Sequence, residues 1–223
     1  MEEYEEVLKK LVKQEYKTME QLNHPHIVKM MEKGKKANFI NHDGTKSKVY
    51  WISLELCLGG DFFDIVSESG AFSEDFARYY FQQMVSALEY MHDKGFSHRD
   101  MKLDNILLDS ELNLKISDFG FASHQSVNTT YKGTENYMAP EILLGKEYNG
   151  KECDIFASGV ILFTMITRSP PFIKANSSDK LYKFLWIGKP QFYWKRKFMK
   201  DKSKLKALSE DFKDLVSAMF SFK

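Results

Sequence analysis

Apolar residues recur at helical spacing through Val7, Leu8, Leu11, Val12, Met19 and Leu22, which predicts a helix over residues 2–22. Acids lead this stretch and lysines follow, as a helix dipole favours. Two strands are predicted next, Ile27 to Lys33 and Val49 to Leu56. They are joined through Asn41-His42-Asp43-Gly44, whose Asp-Gly is a strong hairpin signal. Beyond the composition break at Gly59-Gly60-Asp61, Ser73-Glu74-Asp75 supplies a cap and two first-turn acids for a long helix. Its stripe of Phe76, Tyr80, Met84, Ala87, Leu88 and Met91 ends at Asp93-Lys94-Gly95, where glycine suits a left-handed terminating position. The apolar run Ile106-Leu107-Leu108 anchors a polar loop, and Leu114-Lys115-Ile116 alternates in the strand manner up to Asp118 and a bend at Gly120. From Glu152-Cys153-Asp154 to Ile166 the pattern is apolar nearly all round, which predicts a buried helix. A short helix starting at Asn176-Ser177-Ser178-Asp179 and an amphipathic one over Leu208 to Phe220 complete the pattern.

Composition narrows the class without naming it. The 223 residues are 43% hydrophobic with few Gly and Pro, enough for a core in one or two lobes. Net charge of +1 gives no overall field for nucleic acid or an anionic membrane. Two distant cysteines and six scattered histidines argue against a disulfide framework or structural zinc. The acidic start Glu2-Glu3-Tyr4-Glu5-Glu6 is unlike a signal sequence, and the run near Val160 to Phe163 is too short to span a bilayer. These features read as a soluble, cytoplasmic chain with no membrane partner. Lys195-Arg196-Lys197 and Lys200 to Lys206 form a basic run that is either a solvated loop or a dock for acidic partners.

Candidate chemistry concentrates between His98 and Gly120. Asp100, Lys102 and Asn105 share one short loop, and Asp118 stands at the next turn. Phosphoryl transfer asks for little more: a carboxylate to take a hydroxyl proton, oxygen ligands for magnesium, and a cation beside the moving group. His98-Arg99-Asp100 with Asn105, then Asp118-Phe119-Gly120, then Ala139-Pro140-Glu141, in this order and spacing, resembles the signature set of eukaryotic protein kinases.

The resemblance implies an α+β, two-lobe kinase-like fold: an incomplete β-rich upper lobe (1–57, from helix C onward) and a mostly helical lower lobe (58–223). It implies ATP-dependent phosphorylation of protein Ser/Thr hydroxyls with ATP and Mg2+ as cofactors. Asp100 would be the catalytic base, Lys102 the cation on the phosphoryl oxygens, and Asn105 and Asp118 the magnesium ligands. Glu15, counted back from His24-Pro25, stands where the family's ion-pairing glutamate sits. Leu54 would be the gatekeeper, Glu55 and Cys57 the adenine-binding backbone, and Leu107 the floor beneath adenine. Asp61 reads equally as a ribose contact or a helix N-terminal acid. His98, Phe119, Met19 and Met30 resemble the family's apolar spine, and Asp154 the aspartate that ties the catalytic loop. Lys102 and Gly133-Thr134 resemble Ser/Thr rather than Tyr kinases. Arg99, a guanidinium with no fixed partner, would receive a phosphate placed by an upstream kinase on Thr130. Asp104 and Asp61 favour basic substrates, while Thr164 stands where a further acid would strengthen that preference.

The resemblance also has gaps. No Gly-rich phosphate loop or strand lysine precedes Glu2, and the arginine that normally pairs with Glu141 lies beyond Lys223, so the chain is expected to be incomplete at both ends. The alternative from another class is a non-catalytic, pseudokinase-like scaffold or inactive fragment that binds partners through its lower lobe. The hinge and loop sequences look most like the calcium/calmodulin-dependent and AMP-activated group.

Overall fold

The computed structural model describes residues 12–222. Residues 12–19 form α1, and the earlier part of the predicted first helix lies outside the described residues. The helix stops at Met19 rather than Leu22, which is buried past a turn at Glu20-Gln21. Strands β1 (Met30–Ile40) and β2 (Lys46–Leu54) pair antiparallel, both offset from their predicted limits. The Asp43 carboxylate accepts from Thr45 N–H at 2.9 Å and Gly44 takes φ 82°, which closes the expected Asp-Gly turn. Trp51 lies over Gly34, where any Cβ would meet its indole at 2.2 Å. Tyr16 of α1 donates to Trp51 O at 3.2 Å and so fastens the helix to this sheet.

The lower part is helical. β3 (Gly60–Asp61) runs directly into α2 (Phe62–Glu68), α3 (Glu74–Asp93) follows, and β4 (Ile106–Leu108) and β5 (Leu114–Ile116) then complete a small antiparallel sheet with β3, in the order β3-β4-β5. Ser73 caps α3 by accepting from Phe76 N–H at 3.2 Å, and Gly95 follows its end at φ 83°, as the sequence predicts. Phe76 leaves the predicted stripe for solvent, and Ala77 takes its place in the core.

Helices α4 (Pro140–Leu143) and α5 (Gly150–Thr167) follow, then α6 (Tyr182–Trp186), α7 (Pro190–Lys197), α8 (Lys202–Ala207) and α9 (Glu210–Met219). The predicted short helix begins later than Asn176, because Asp179 accepts from the N–H groups of Leu181 and Tyr182 at 2.8 Å and so starts α6. The basic run is mostly helical and solvated: Lys195-Arg196-Lys197 close α7, Lys202 to Lys206 lie in α8, and Lys200 stands in the turn between them. Pro190 suits the first helical turn, Tyr193 and Trp194 are buried, and Trp194 donates to Ser217 Oγ at 2.9 Å. These anchors hold α7 on the core and turn Lys195 and Arg196 outward, while Lys197 folds back over the Phe163 ring.

The centre of that core is α5. Phe163, fully buried, has the rings of Trp194, Phe212 and Phe220 at 5.9, 6.4 and 6.5 Å. Such pairs add about 0.5–1.5 kcal/mol each beyond area burial. Several links join the segments flanking the upper sheet to β5: Val28 N–H donates to Ile116 O and Ile116 N–H to His26 O, both at 2.9 Å, and Lys115 Nζ pairs with Glu55 at 3.0 Å.

Candidate active site

The loop after α3 is stitched in place before its polar residues appear. Ser97 and Ser123 exchange backbone bonds at 2.8 and 2.9 Å, which aligns this loop with the segment following Gly120. Arg99 then adopts φ 66°, a left-handed conformation that costs a non-glycine residue roughly 1–3 kcal/mol. Asp154, buried in α5, stabilises the bend: its Oδ2 accepts from His98 N–H at 2.8 Å and its Oδ1 from Arg99 N–H at 2.7 Å. His92 Nε2 lies 2.9 Å from the same Oδ2.

That bend presents Asp100, which is 7% exposed, between three donors. Oδ1 accepts from Thr134 Oγ1 at 3.0 Å, while Oδ2 meets Lys102 Nζ at 3.0 Å and Asn105 Nδ2 at 3.2 Å. Lys102 also donates to Thr134 Oγ1 at 3.2 Å, which closes a ring of Asp100, Lys102 and Thr134. Gly133 is required beside it: its φ is 111°, and a Cβ would stand 2.8 Å from Arg99 O.

Asn105 links this turn to the second one. Its Nδ2 donates to Asp100 O at 2.8 Å, and its carbonyl accepts from Ser117 N–H and Oγ at 2.9 and 3.0 Å. His98 Nδ1 accepts from Asp100 N–H, so Nε2 carries the proton it donates to Ser117 O at 2.9 Å. His98 and Phe119 are buried with centroids 5.2 Å apart, and Met19 is buried too. Asp118 sits at φ 61° with an exposed carboxylate whose Oδ1 accepts from Gly120 N–H at 3.3 Å. Glu15 of α1 is close enough that burial first, and the Asp118 charge second, push its carboxyl above the usual range. The two acidic turns are therefore adjacent, with Asn105 Oδ1 and Asp118 Oδ2 left as acceptors. An amide oxygen and a carboxylate suit magnesium, which fills its other positions with water and phosphate oxygens.

At the hinge, Glu55 N–H donates to Lys29 O and its carboxylate accepts from Lys29 N–H and Lys115. Among the described residues, Glu55 O and Cys57 N–H make no backbone bond, which leaves one acceptor and one donor side by side. Burial, then the Glu55 charge, push the Cys57 thiol up. Leu107 is half-buried in β4 opposite Asp61. Asp61 Oδ1 accepts from Phe63 N–H at 2.8 Å, so this residue caps α2, and Oδ2 remains free of the cap.

Arg99 differs from its sequence reading. It is fixed by Phe121 O at 2.8 Å, Asn128 Oδ1 at 2.9 Å and Thr130 Oγ1 at 3.2 Å, all neutral oxygens, and no carboxylate pairs with it among the described residues. Thr130 is exposed, and its carbonyl accepts from Tyr148 OH at 2.8 Å.

All 223 residues match the family described as "Protein kinase domain". The chain belongs to that family. CBL-interacting protein kinase 32 of Oryza sativa subsp. japonica is 40% identical over 171 residues, covering 74% of this chain and 37% of the relative. CBL-interacting serine/threonine-protein kinase 9 of Arabidopsis thaliana is 39% identical over 171 residues, covering 74% and 36%. CBL-interacting protein kinase 9 of rice is 38% identical over 184 residues, covering 80% and 38%. The chain thus spans little more than a third of the length of these relatives.

Within this kinase domain, sequence reasoning missed Thr134 as a direct partner of Asp100, because 34 residues separate them. It also missed the Glu55–Lys115 pair, 60 residues apart. Only the lysine breaking the apolar strand Leu114-Lys115-Ile116 hinted at a buried partner. No described helix is long and apolar enough to cross a membrane.

Proposed function

We propose that this kinase domain transfers the γ-phosphoryl group of ATP to Ser or Thr hydroxyls of proteins. The carrying observation is the closed ring around Asp100, in which Lys102 and Thr134 fix both carboxylate oxygens. Asp100 accepts the proton of the incoming hydroxyl, a role worth typically 10²- to 10⁴-fold. Lys102, 3.0 Å from it, faces the charge that develops on the transferred group. Thr134, which holds Oδ1, gives the carboxylate one orientation toward the acceptor. Asn105 and Asp118 would hold magnesium, which supplies neutralisation of the phosphate charge. Glu55 O and Cys57 N–H match the amino and ring-nitrogen edge of adenine, Leu107 lies beneath it, and Asp61 Oδ2 faces the ribose. Glu15 orients the phosphates through a cation. Ser/Thr specificity is supported by the Lys102–Thr134 contact and by the names of the similar kinases.

Thr130 is the position at which an upstream kinase would act, because a phosphate there meets Arg99, whose charge has only neutral acceptors. The intact ring around Asp100 gives no support to the alternative of a non-catalytic scaffold. The test is phosphoryl transfer from Mg-ATP to Ser- and Thr-containing peptides by the full-length gene product. Asp100→Asn should lower kcat about 100-fold or more with ATP affinity retained. Equal rates for wild type and variant would overturn the assignment.

A further inference from the structure

A groove of about 730 Å³ opens between residues 169–181 and the C-terminal end of α7, sharing no lining residue with the pocket at Asp100. Its apolar surface is unusually open for a folded domain: Ile173 is 72% exposed and Met199 52%. Lys180, Arg196 and Lys200 line it as exposed cations, and none pairs with a carboxylate among the described residues. The other two lysines are engaged, Lys174 with Glu135 at 2.8 Å and Lys197 with Pro170 O. Asp179 is the single acid of the lining, and its oxygens are committed to four backbone N–H groups, those of Ile173, Lys174, Leu181 and Tyr182. The groove therefore combines an apolar floor with uncompensated positive charge.

We propose that this groove docks an acidic peptide segment of a protein partner, one bulky apolar side chain seated against Ile173 and Met199 and carboxylates facing Lys180, Arg196 and Lys200. Charge complementarity selects the acidic partner, and exposed apolar area supplies the anchor. Concavity selects a peptide over a lipid surface, because an interfacial element must present its apolar face outward to enter the headgroup layer. The position also suits a partner that is itself acted on. Lys174 in one wall pairs with Glu135, the neighbour of Thr134, which donates to Asp100. Docking does not require catalysis, so its test stands apart from that of the phosphoryl-transfer reading.

The experiment is fluorescence anisotropy on this chain without nucleotide, using a labelled 12-residue peptide with Phe and Leu four positions apart among glutamates. Controls are the same peptide with every Glu replaced by Gln, and with Phe and Leu replaced by Ser. Saturable binding is expected, at least tenfold weaker for either control, and weakening as salt rises. Lys180→Glu combined with Arg196→Glu, and separately Ile173→Asp, should each lower affinity at least tenfold. All three positions are exposed, so thermal melts should match wild type. Absence of binding up to millimolar peptide, undiminished binding by the variants, or equal binding of the Gln control overturns the proposal. So does binding of phosphatidylserine vesicles, but not the peptide, in a manner the same variants abolish.

Discussion

Asp154→Asn probes the device that shapes the loop carrying Asp100. The wild-type carboxylate is 0% exposed at its side chain and accepts from His98 N–H, Arg99 N–H and His92. An amide keeps one acceptor oxygen and turns the other into a donor, which then confronts donors. Each lost charge-assisted bond is worth about 1.5–3 kcal/mol. The loss of the Oδ2 set, with Arg99 left less restrained at φ 66°, gives about 3–5 kcal/mol, the range seen when a buried charged network is broken from one side. A domain of this kind has about 5–15 kcal/mol in total, so the loss is a large share of its margin. With a urea slope of about 3 kcal/mol/M, the unfolding midpoint should fall by roughly 1–1.7 M. Equilibrium urea unfolding followed by tryptophan fluorescence reads this directly. A midpoint shift below about 0.3 M at unchanged slope would refute the reasoning.

Two further outcomes follow from the same geometry. Thr130→Ala in the full-length protein should lower kcat about tenfold relative to the form phosphorylated at Thr130, because Arg99 loses its only charged partner; equal activity of the mutant and the phosphorylated form would dispose of the switch. Burial, reinforced by Lys204, lowers the Lys197 ammonium to about 8, so the unfolded chain holds that proton more tightly. The penalty is complete below pH 8 and disappears as pH rises toward 10.5, so wild type should gain stability relative to Lys197→Met between pH 7 and pH 10. The gain is about 1 kcal/mol once discounted for solvent at this half-open site. Paired thermal melts measure it, and parallel curves across that range would exclude it.

Elements with strong local signals were legible in the chain. Ser73 and Gly95 bound α3 because capping and left-handed termination are local events, and α5 announced its burial by being apolar on every face. The short α2 was signalled only by Asp61, one of whose two readings, a helix N-terminal acid, the cap bears out; seven residues carry too little periodicity to announce the helix by themselves. α7 was hidden by its own charges: the lysines and arginine dominate the pattern, while Tyr193 and Trp194, which decide the conformation, form only a pair. The motif singled out Asp100, Asn105 and Asp118 as candidates, and the fold brings their two turns together. Thr134, Asn128 and Lys115 reach their partners only through the fold, and no local rule connects residues that far apart.

The double duty of Asn105 bears on modularity. Its side chain steadies one acidic turn while its carbonyl receives the strand that leads to the other. Residues 98–105 are therefore not a portable cassette. Transplanted into a foreign scaffold without Ser117, the loop would keep its letters and lose its registration to the second acid. Recombination or circular permutation that separates the two turns should yield folded chains with unmatched halves of one centre, and an exchange that carries 98–120 as a block must also bring Thr134 and Asp154, which hold Asp100 and the bend at Arg99, if the centre is to transfer.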